Sequence, residues 1–261
     1  MTETAIPESP GLPPEPPPPP GSNWALFLDI DGTLLDIAET PDQVRVPPAL
    51  RGDLDIVAGQ LGGALALVSG RPVSDIDRLF DPLRLPASGQ HGGEWRPVPQ
   101  QATEVIAGQT VPQALRDVAD SLLHLYPGVV VEQKSHAIAV HYRHAPDCGP
   151  ELGARLAEAM AGIEGLQLLS GRSVWEVKDS SQSKGTAVQR FMARSAFSGR
   201  LPVFVGDDTT DLDGFLAVEA LGGLALPVGP LVRSGKPGFI GPDAVRSWLA
   251  EFAAVSNGAA R

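Results

Sequence analysis

Residues 26–34 constrain this chain more than any other stretch, because an apolar strand pattern there runs directly into Asp29-Ile30-Asp31-Gly32-Thr33. A short, continuous apolar run is typical of a buried strand in a parallel sheet. Ligands of open α/β sheets bind at the carboxyl ends of such strands. Asp29 and Asp31 are two positions apart, so in extended chain their side chains leave the strand on the same side. We therefore expect two carboxylates in one small volume at a sheet edge.

Two like charges held this close repel each other by roughly 4 kcal/mol at about 4 Å and an effective dielectric constant near 20. A cation or a proton between them relieves the repulsion, so the pair indicates a metal site or an acid/base site. A solvated turn is the alternative, since Asp-Gly after a strand is also a common hairpin signal. The rest of the chain decides between these hypotheses.

The chain of 261 residues is acidic, with 31 Asp and Glu against 20 Lys and Arg and a net charge of −11. Since no cluster of Lys and Arg interrupts this charge, we expect neither nucleic acid nor a membrane surface as a partner. The one cysteine, Cys148, excludes an internal disulfide framework and fits a reducing compartment. The sequence shows no signal peptide and no long apolar span, so we expect a cytoplasmic protein.

A second strand pattern follows the first. Apolar residues at helical spacing over 47–62 predict a helix, and the next apolar run ends in Ser69-Gly70-Arg71. The strand, helix, strand order predicts a right-handed crossover that brings Ser69 beside Asp29. Ser69 offers a small hydroxyl, Gly70 permits close approach of the backbone, and Arg71 adds a cation.

The middle of the chain has a different pattern. Two alternating runs, 128–134 and 137–143, predict an antiparallel hairpin with a turn at Ser135-His136, and 173–178 is a third strand candidate. Alternation places charged residues on one face of these strands. Such a face is either a solvated surface with cross-strand ion pairs or a site that hydrogen-bonds a ligand covered in hydroxyl groups. The charged residues are Glu132, Lys134, His141, Arg143, Glu176 and Lys178.

Other segments complete the outline. The proline-rich residues 1–22 are predicted to be disordered, and 87–94 to form a glycine-rich loop. Ser183-Lys184-Gly185 begins a helix, where a basic residue in the first turn opposes the helix dipole. A phosphate bound at that N-terminus would remove the conflict.

Acidic residues return after a later strand pattern, at Asp207, Asp208 and Asp211. With Asp29 and Asp31 they make five carboxylates at strand ends of one predicted sheet. Uncompensated charges cannot gather in this way, so a bound divalent cation is the economical explanation. Hard oxygen ligands favour magnesium.

Four motifs in this order resemble the haloacid dehalogenase (HAD) superfamily of phosphohydrolases: Asp-x-Asp-Gly-Thr at 29–33, Ser69, Lys184 and Gly-Asp-Asp-x-Thr-Asp at 206–211. The resemblance implies an α/β fold, with a Rossmann-like core built on a parallel sheet and an inserted α+β cap domain of the C2 type. The implied organisation is a core of 23–96 and 183–254, a cap of 97–182, and tails at 1–22 and 255–261.

The resemblance also implies residue roles. Asp29 would be the nucleophile that forms an aspartyl phosphate, and Asp31 would act as the acid and base. Ser69 and Lys184 would bind the phosphoryl oxygens. The implied magnesium ligands are Asp29, the backbone carbonyl of Asp31 and Asp207, with Asp208 or Asp211 orienting the metal's waters.

Over about residues 24–250 the sequence is similar to trehalose-6-phosphate phosphatases, in 69–71, 91–92, 131–134, 140–143, 175–178, 183–185 and 206–211. This likeness implies hydrolysis of trehalose 6-phosphate in trehalose biosynthesis, by a monomer whose partner is a small molecule. The alternatives are a phosphatase for another sugar phosphate, such as glucosylglycerol or sucrose phosphate, and a non-catalytic regulator that binds sugar phosphates. The implied substrate-binding residues are Thr33, Gly70, Arg71, His91, Glu132, Lys134, Arg143, Glu176 and Lys178. Two positions depart from the family pattern: Leu212, where an acidic residue is frequent, and Asp179, where proline is frequent.

Overall fold

The computed structural model describes residues 15–38, 43–134, 137–171, 173–233 and 236–255. Its strands are β1 (Trp24–Leu28), β2 (Leu65–Val68), β3 (Ala87–Gly89), β4 (Glu94–Arg96), β5 (Glu104–Val105), β6 (Val130–Gln133), β7 (Ala137–His141), β8 (Leu166–Gly171), β9 (Val174–Asp179), β10 (Leu201–Gly206) and β11 (Leu224–Pro227). Its α-helices are α1 (Pro48–Gln60), α2 (Val73–Phe80), α3 (Gln113–Leu125), α4 (Gly149–Ala159), α5 (Lys184–Met192), α6 (Leu212–Ala220) and α7 (Pro242–Val255).

The central sheet has the strand order β11-β10-β1-β2-β3-β4-β5. The strands from β11 to β3 pair in parallel, and β4 and β5 add an antiparallel edge. All five residues of β1 are buried, as a strand covered on both faces requires. Since β1 lies between β10 and β2, the residues after these three strands meet at one sheet edge. The predicted parallel core sheet is confirmed.

A second, antiparallel sheet has the order β6-β7-β9-β8. Val131, Val140 and Trp175 share one cross-strand row, and Glu132, Ala139 and Glu176 share the next. The apolar face packs on α3 and α4 in a hydrophobic cluster separate from that of the central sheet. The predicted hairpin and its alternation are confirmed for the described residues. The turn at Ser135-His136 lies outside them.

The structure corrects the prediction for 87–94 and adds strands that the sequence did not indicate. Part of the predicted loop is β3, and its end begins β4. Three-residue strands are too short for a period to be recognised, and these are stabilised by pairing with their neighbours. The Arg96 guanidinium also donates to both Asp77 oxygens at 2.6 Å. The additional strands are β5, which pairs with β4, and β8, which pairs with β9 along six residues.

The domain boundaries stay a prediction. The second sheet falls inside 97–182, whereas β5 pairs with β4 of the central sheet. Residues 1–14 and 256–261 of the predicted tails lie outside the described residues. In the described part of the N-terminal segment, the Glu15 N–H donates to the Lys236 carbonyl at 3.1 Å and the Pro18 carbonyl accepts from the Trp248 indole at 3.2 Å.

None of the helices in the described ranges has the length and apolar character needed to cross a membrane.

Candidate active site

Asp29 lies at the centre of the sheet edge where β1 and β10 end. The Lys184 ammonium, at the start of α5, donates to Asp29 Oδ1 at 2.7 Å and to Asp211 Oδ1 at 2.6 Å. The Thr33 hydroxyl is 3.3 Å from Asp29 Oδ2 and 2.9 Å from Asp207 Oδ1. One lysine and one threonine thus link the acidic residues that follow two neighbouring strands.

Backbone geometry explains why these groups approach so closely. Gly32 has a φ of +84°, in the left-handed region that favours glycine, and a Cβ there would collide with the Asp207 carboxylate. Ser183 caps α5 by accepting from the Thr186 N–H, so Lys184 is held in the first helical turn. The ammonium is bound by carboxylates at this helix start, which offsets the unfavourable helix dipole.

The carboxylates of Asp29, Asp207 and Asp211 have oxygens within 4.8 Å of one another. Burial raises the pKa of Asp29 well above its ordinary value, and Asp211 and Asp207 add to this against the opposing effect of Lys184. Burial likewise raises the pKa of Asp207, to about 6. Burial acts to lower the pKa of Lys184, but Asp211 and Asp29 outweigh it and raise that pKa.

Charge balance indicates what such a cluster binds. With all three carboxyl groups ionised, three negative charges against the one ammonium leave a net charge of −2 in a largely buried group. A divalent cation supplies the matching charge, and carboxylate oxygens are suitable ligands for it. The residues present therefore fit a divalent metal.

Asp208 and Asp211 differ in their surroundings. Asp211 Oδ2 accepts the backbone N–H groups of Asp207 and Asp208 at 3.0 and 2.9 Å, and its other oxygen binds Lys184. Asp208 lies outside the carboxylate group and accepts the Thr209 N–H at 2.6 Å. Both oxygens of Asp211 are therefore engaged within the cluster, whereas those of Asp208 are not.

Ser69 and Arg71 lie on the neighbouring strand end. The buried Ser69 hydroxyl accepts the Arg71 N–H at 3.2 Å. The Arg71 guanidinium donates to the two oxygens of Asp31, at 2.6 and 2.7 Å. Burial acts to lower the pKa of Arg71, yet its contact with Asp31 dominates and raises that pKa. A cation and a carboxylate thus flank Asp29 on this side.

The second sheet turns its polar face towards this edge across a cavity of about 1090 Å³. A volume of this order suits a small-molecule ligand. Glu132 and His141 line the cavity, and His141 Nε2 is 3.1 Å from Glu132 Oε2. That hydrogen bond is the main cause of a lowered pKa at Glu132.

Glu176 connects the two sheets. Its Oε1 accepts from the Lys134 ammonium at 2.8 Å, and its Oε2 lies 2.7 Å from Nε2 of His91, a residue that follows β3. Lys134 also reaches the Gly70 carbonyl at 3.5 Å. Burial alone would raise the pKa of Glu176, but Lys134 and His91 hold it well below its ordinary value.

Most of the residues predicted from sequence line this cavity. They are Asp29, Asp31, Ser69, Gly70, Arg71, His91, Glu132, Lys134, Arg143, Glu176, Lys184, Asp207 and Asp208. Thr33 and Asp211 instead support the carboxylates from behind. Lys178 does not line the cavity either, because its buried ammonium donates to the carbonyls of Asp179 and Gln182.

The cavity has further lining residues that the sequence pattern did not single out. Ala139 on β7 and Ser170 and Gly171 on β8 lie along the wall, beside His141, which was expected on the charged face. Ala139 could have been found from its alternation with Ile138 and Val140, because that pattern places it on the polar face. Ser170 and Gly171 carried no such signal.

Solved structures share the fold. The C-terminal domain of trehalose-6-phosphate phosphatase from C. albicans superposes with a TM-score of 0.78 at 19% identity, covering 89% of this chain and 92% of that one. A phosphatase of the HAD superfamily from Bacteroides thetaiotaomicron gives a TM-score of 0.61 at 17% identity, covering 94% of this chain and 99% of that one. The fold is that of the HAD phosphatases, with the predicted Rossmann-like core.

Sequence comparison identifies a family within the HAD phosphatases. Residues 27–234 match the family model described as trehalose-phosphatase. A probable trehalose-phosphate phosphatase from Sinorhizobium fredii is 42% identical over 82% of this chain and 81% of its own length. Trehalose-6-phosphate phosphatase from Escherichia coli is 37% identical over 87% of this chain and 86% of its own length. The chain belongs to the trehalose-phosphatase family, whose members are phosphoric monoester hydrolases.

Proposed function

We propose that the protein hydrolyses trehalose 6-phosphate to trehalose and phosphate, with Mg²⁺ and through an aspartyl phosphate on Asp29. The observation that carries the proposal is the position of Asp29, which lies between Lys184 and Thr33 on the floor of a cavity whose opposite wall is the charged face of the second sheet. The names of the two bacterial relatives support the same substrate.

In the first step an oxygen of Asp29 forms a bond to phosphorus, while the bond between phosphorus and the sugar oxygen breaks. The leaving sugar oxygen takes its proton from Asp31, which lines the same cavity. Lys184 and Ser69 hold the transferring phosphoryl oxygens, where negative charge must be balanced throughout.

In the second step a water gives its proton to Asp31 and attacks phosphorus, which releases phosphate and restores the Asp29 carboxylate. Asp31 thus returns to its starting protonation state after the two steps. The contact with Arg71 engages both Asp31 oxygens, so the cycle requires Arg71 to turn away from Asp31, and the phosphoryl group is the natural acceptor for it.

Asp29 and Asp207 are the residues that would hold Mg²⁺, together with the backbone carbonyl of Asp31, and Asp211 would orient them. Bound there, Mg²⁺ would neutralise charge on the phosphoryl group and keep Asp29 ionised. The two surplus negative charges of the cluster and its oxygen-only ligands support this assignment.

The sugar would be recognised by the polar face of β6, β7 and β9. Glu132, Lys134 and Glu176 present charged acceptors and donors to the cavity, which is the chemistry that hydroxyl groups bind. Arg143 lines the same cavity and donates to the Ala38 carbonyl of the central-sheet side.

Phosphate release from a panel of sugar phosphates tests the proposal. We expect trehalose 6-phosphate to be strongly preferred over sucrose 6-phosphate and glucose 6-phosphate when Mg²⁺ is present. Preference for another sugar phosphate would keep the chemistry and replace the substrate. No release from any of them, with binding retained, would favour a regulator instead.

A further inference from the structure

We propose that His91 is a positioning residue, which acts through Glu176 to fasten the second sheet to the central sheet over the bound sugar. The inference rests on the proposed function, since it concerns the same cavity. It assigns His91 to the contact between the two sheets instead of to the sugar itself. We refer to His91, Glu176, Lys134 and the Gly70 carbonyl as the latch.

His91 is fixed firmly to the central sheet. Its φ is +52°, in the left-handed region, and its backbone N–H donates to the Ser69 carbonyl at 3.0 Å. The ring packs against Gly70, where a Cβ would lie 2.5 Å from Nε2. This tight fit requires glycine at position 70 and leaves the ring little freedom. Nε2 of His91 is therefore held in a fixed position relative to the central sheet. The backbone of His91 is bonded directly to that of Ser69, the residue proposed to bind the phosphoryl group.

Glu176 is equally well fixed on the other side. It lies on β9, an inner strand of the second sheet, and its carboxylate is shared between His91 and Lys134. The exposed fractions of the three side chains are 11% for His91, 9% for Glu176 and 11% for Lys134. Hydrogen bonds to a charged group are strong when they are shielded from water in this way.

The surroundings of His91 indicate which of its ring nitrogens carries the proton. Burial lowers the pKa of His91, despite the opposing effect of Glu176, so the ring is neutral at neutral pH. Nδ1 is buried and has no hydrogen-bond partner within the described residues. The single ring proton then belongs on Nε2, where it is donated to Glu176 Oε2. With this nitrogen occupied, the ring acts on the sugar site only through Glu176.

The latch links sugar recognition to the phosphate site. β9 ends at Asp179, and Lys184 follows after a short connection. The Lys178 ammonium, two residues from Glu176, donates to the carbonyls of Asp179 at the end of β9 and of Gln182 in that connection. Fastening Glu176 therefore fixes the distance between the polar face of the second sheet and Lys184. The binding of a disaccharide phosphate depends on that distance, because the molecule reaches both sheets. A small aryl phosphate needs only the catalytic residues at the edge of the central sheet.

Activity of paired variants tests this role. In His91→Ala we expect kcat/KM for trehalose 6-phosphate to fall by roughly ten- to a hundredfold, the range for loss of a hydrogen bond to a charged group. Turnover of p-nitrophenyl phosphate should change far less. His91→Gln keeps an N–H donor at a similar reach and should recover most of the loss. Equal losses on both substrates, or no recovery in His91→Gln, would overturn the proposal.

A distance measurement separates the latch from the proposed substrate. Nitroxide labels at Asp55→Cys on α1 and Ala157→Cys on α4, both exposed positions, report the separation of the two sheets in a Cys148→Ser background. By electron resonance without added sugar phosphate, His91→Ala should give a longer or broader distance distribution, and His91→Gln should not. This result is independent of which sugar phosphate the enzyme hydrolyses.

Two further variants complete the distance measurement: one removes the other partner of the contact, and one is a control. Glu176→Ala breaks the latch from the other side and should broaden the distribution as His91→Ala does, including when His91→Ala folds poorly. His141→Ala is the matched control, because His141 lines the same cavity but bonds to Glu132 within the second sheet. An unchanged distribution in His91→Ala and Glu176→Ala, or an equal change in His141→Ala, would show that no latch exists.

Discussion

Arg71 and Asp31 form a two-point contact, from Nε to Oδ2 at 2.6 Å and from Nη2 to Oδ1 at 2.7 Å. The planar guanidinium is suited to carboxylate and phosphate groups alike. A phosphoryl group in the cavity would therefore compete with Asp31 for Arg71. Its arrival would release Asp31 from Arg71, and Asp31 could then take up the proton that it gives to the leaving sugar oxygen.

Arg71→Ala tests this exchange. We expect KM for trehalose 6-phosphate to rise and kcat/KM to fall by roughly ten- to a hundredfold, because a charge-assisted hydrogen bond to the substrate is lost. Arg71→Lys should fall in between, since an ammonium cannot make the two-point contact. Steady-state kinetics with all three proteins measure this. A KM unchanged in Arg71→Ala would remove Arg71 from the phosphate site.

Asp29→Asn tests the nucleophile. The amide keeps the size of the side chain but cannot form the acyl phosphate, so we expect turnover to fall by roughly 10⁴-fold or more. Calorimetry should still detect binding of trehalose 6-phosphate. Asp55→Asn, an exposed position on α1, is the matched control and should behave as wild type. Appreciable hydrolysis by Asp29→Asn would refute the assignment.

The floor of the site was largely predictable from sequence, whereas its pairings were not. Strand periodicity and the position of Asp29, Ser69 and Asp207 after strands sufficed to bring them to one edge. The partner of Glu176 could not be predicted, because His91 is 85 residues away and its contact depends on how two sheets pack. The same applies to the backbone N–H groups of Asp207 and Asp208 that Asp211 accepts, because a sequence does not display such contacts.

Alternation within strands also predicted the polar face of the second sheet. It did not indicate that this face leaves room for a ligand between its charged side chains. The row Glu132, Ala139, Glu176 places a small side chain between two carboxylates. The two flanking strands are each about 4.8 Å from β7, so the carboxylates stand far enough apart for a sugar ring above Ala139.

Ala139→Leu should fill that space. We expect kcat/KM for trehalose 6-phosphate to fall by roughly ten- to a hundredfold, as overpacking of this size costs, with p-nitrophenyl phosphate affected far less. Ala154→Leu, at an exposed position of α4, is the control for the added bulk. Equal use of trehalose 6-phosphate by wild type and Ala139→Leu would place the sugar elsewhere.

Glu132→Ala should weaken the use of trehalose 6-phosphate far more than that of p-nitrophenyl phosphate. The hydrogen bond between Glu132 and His141 lowers the pKa of Glu132 and so favours its charged form, which is an acceptor for sugar hydroxyl groups. Glu132→Gln keeps the shape and should lose less. The ratio of kcat/KM values for the two substrates measures the effect, and an unchanged ratio would remove Glu132 from the sugar site.

Metal binding should depend on pH through Asp207, whose pKa is raised from its ordinary value of 3.8 to about 6 by burial. In metal-free protein the stability supplied by its proton is fully present below the ordinary pKa and is lost as the pH rises through about 6. Above that pH the ionised carboxylate needs a cation, so Mg²⁺ should stabilise the protein more. We expect the increase in Tm caused by Mg²⁺, relative to chelator, to be small at pH 5 and to grow through about pH 6. Asp207→Asn should abolish the increase at every pH, and a Mg²⁺ effect in wild type that is equal at pH 5 and pH 8 would contradict the role of Asp207.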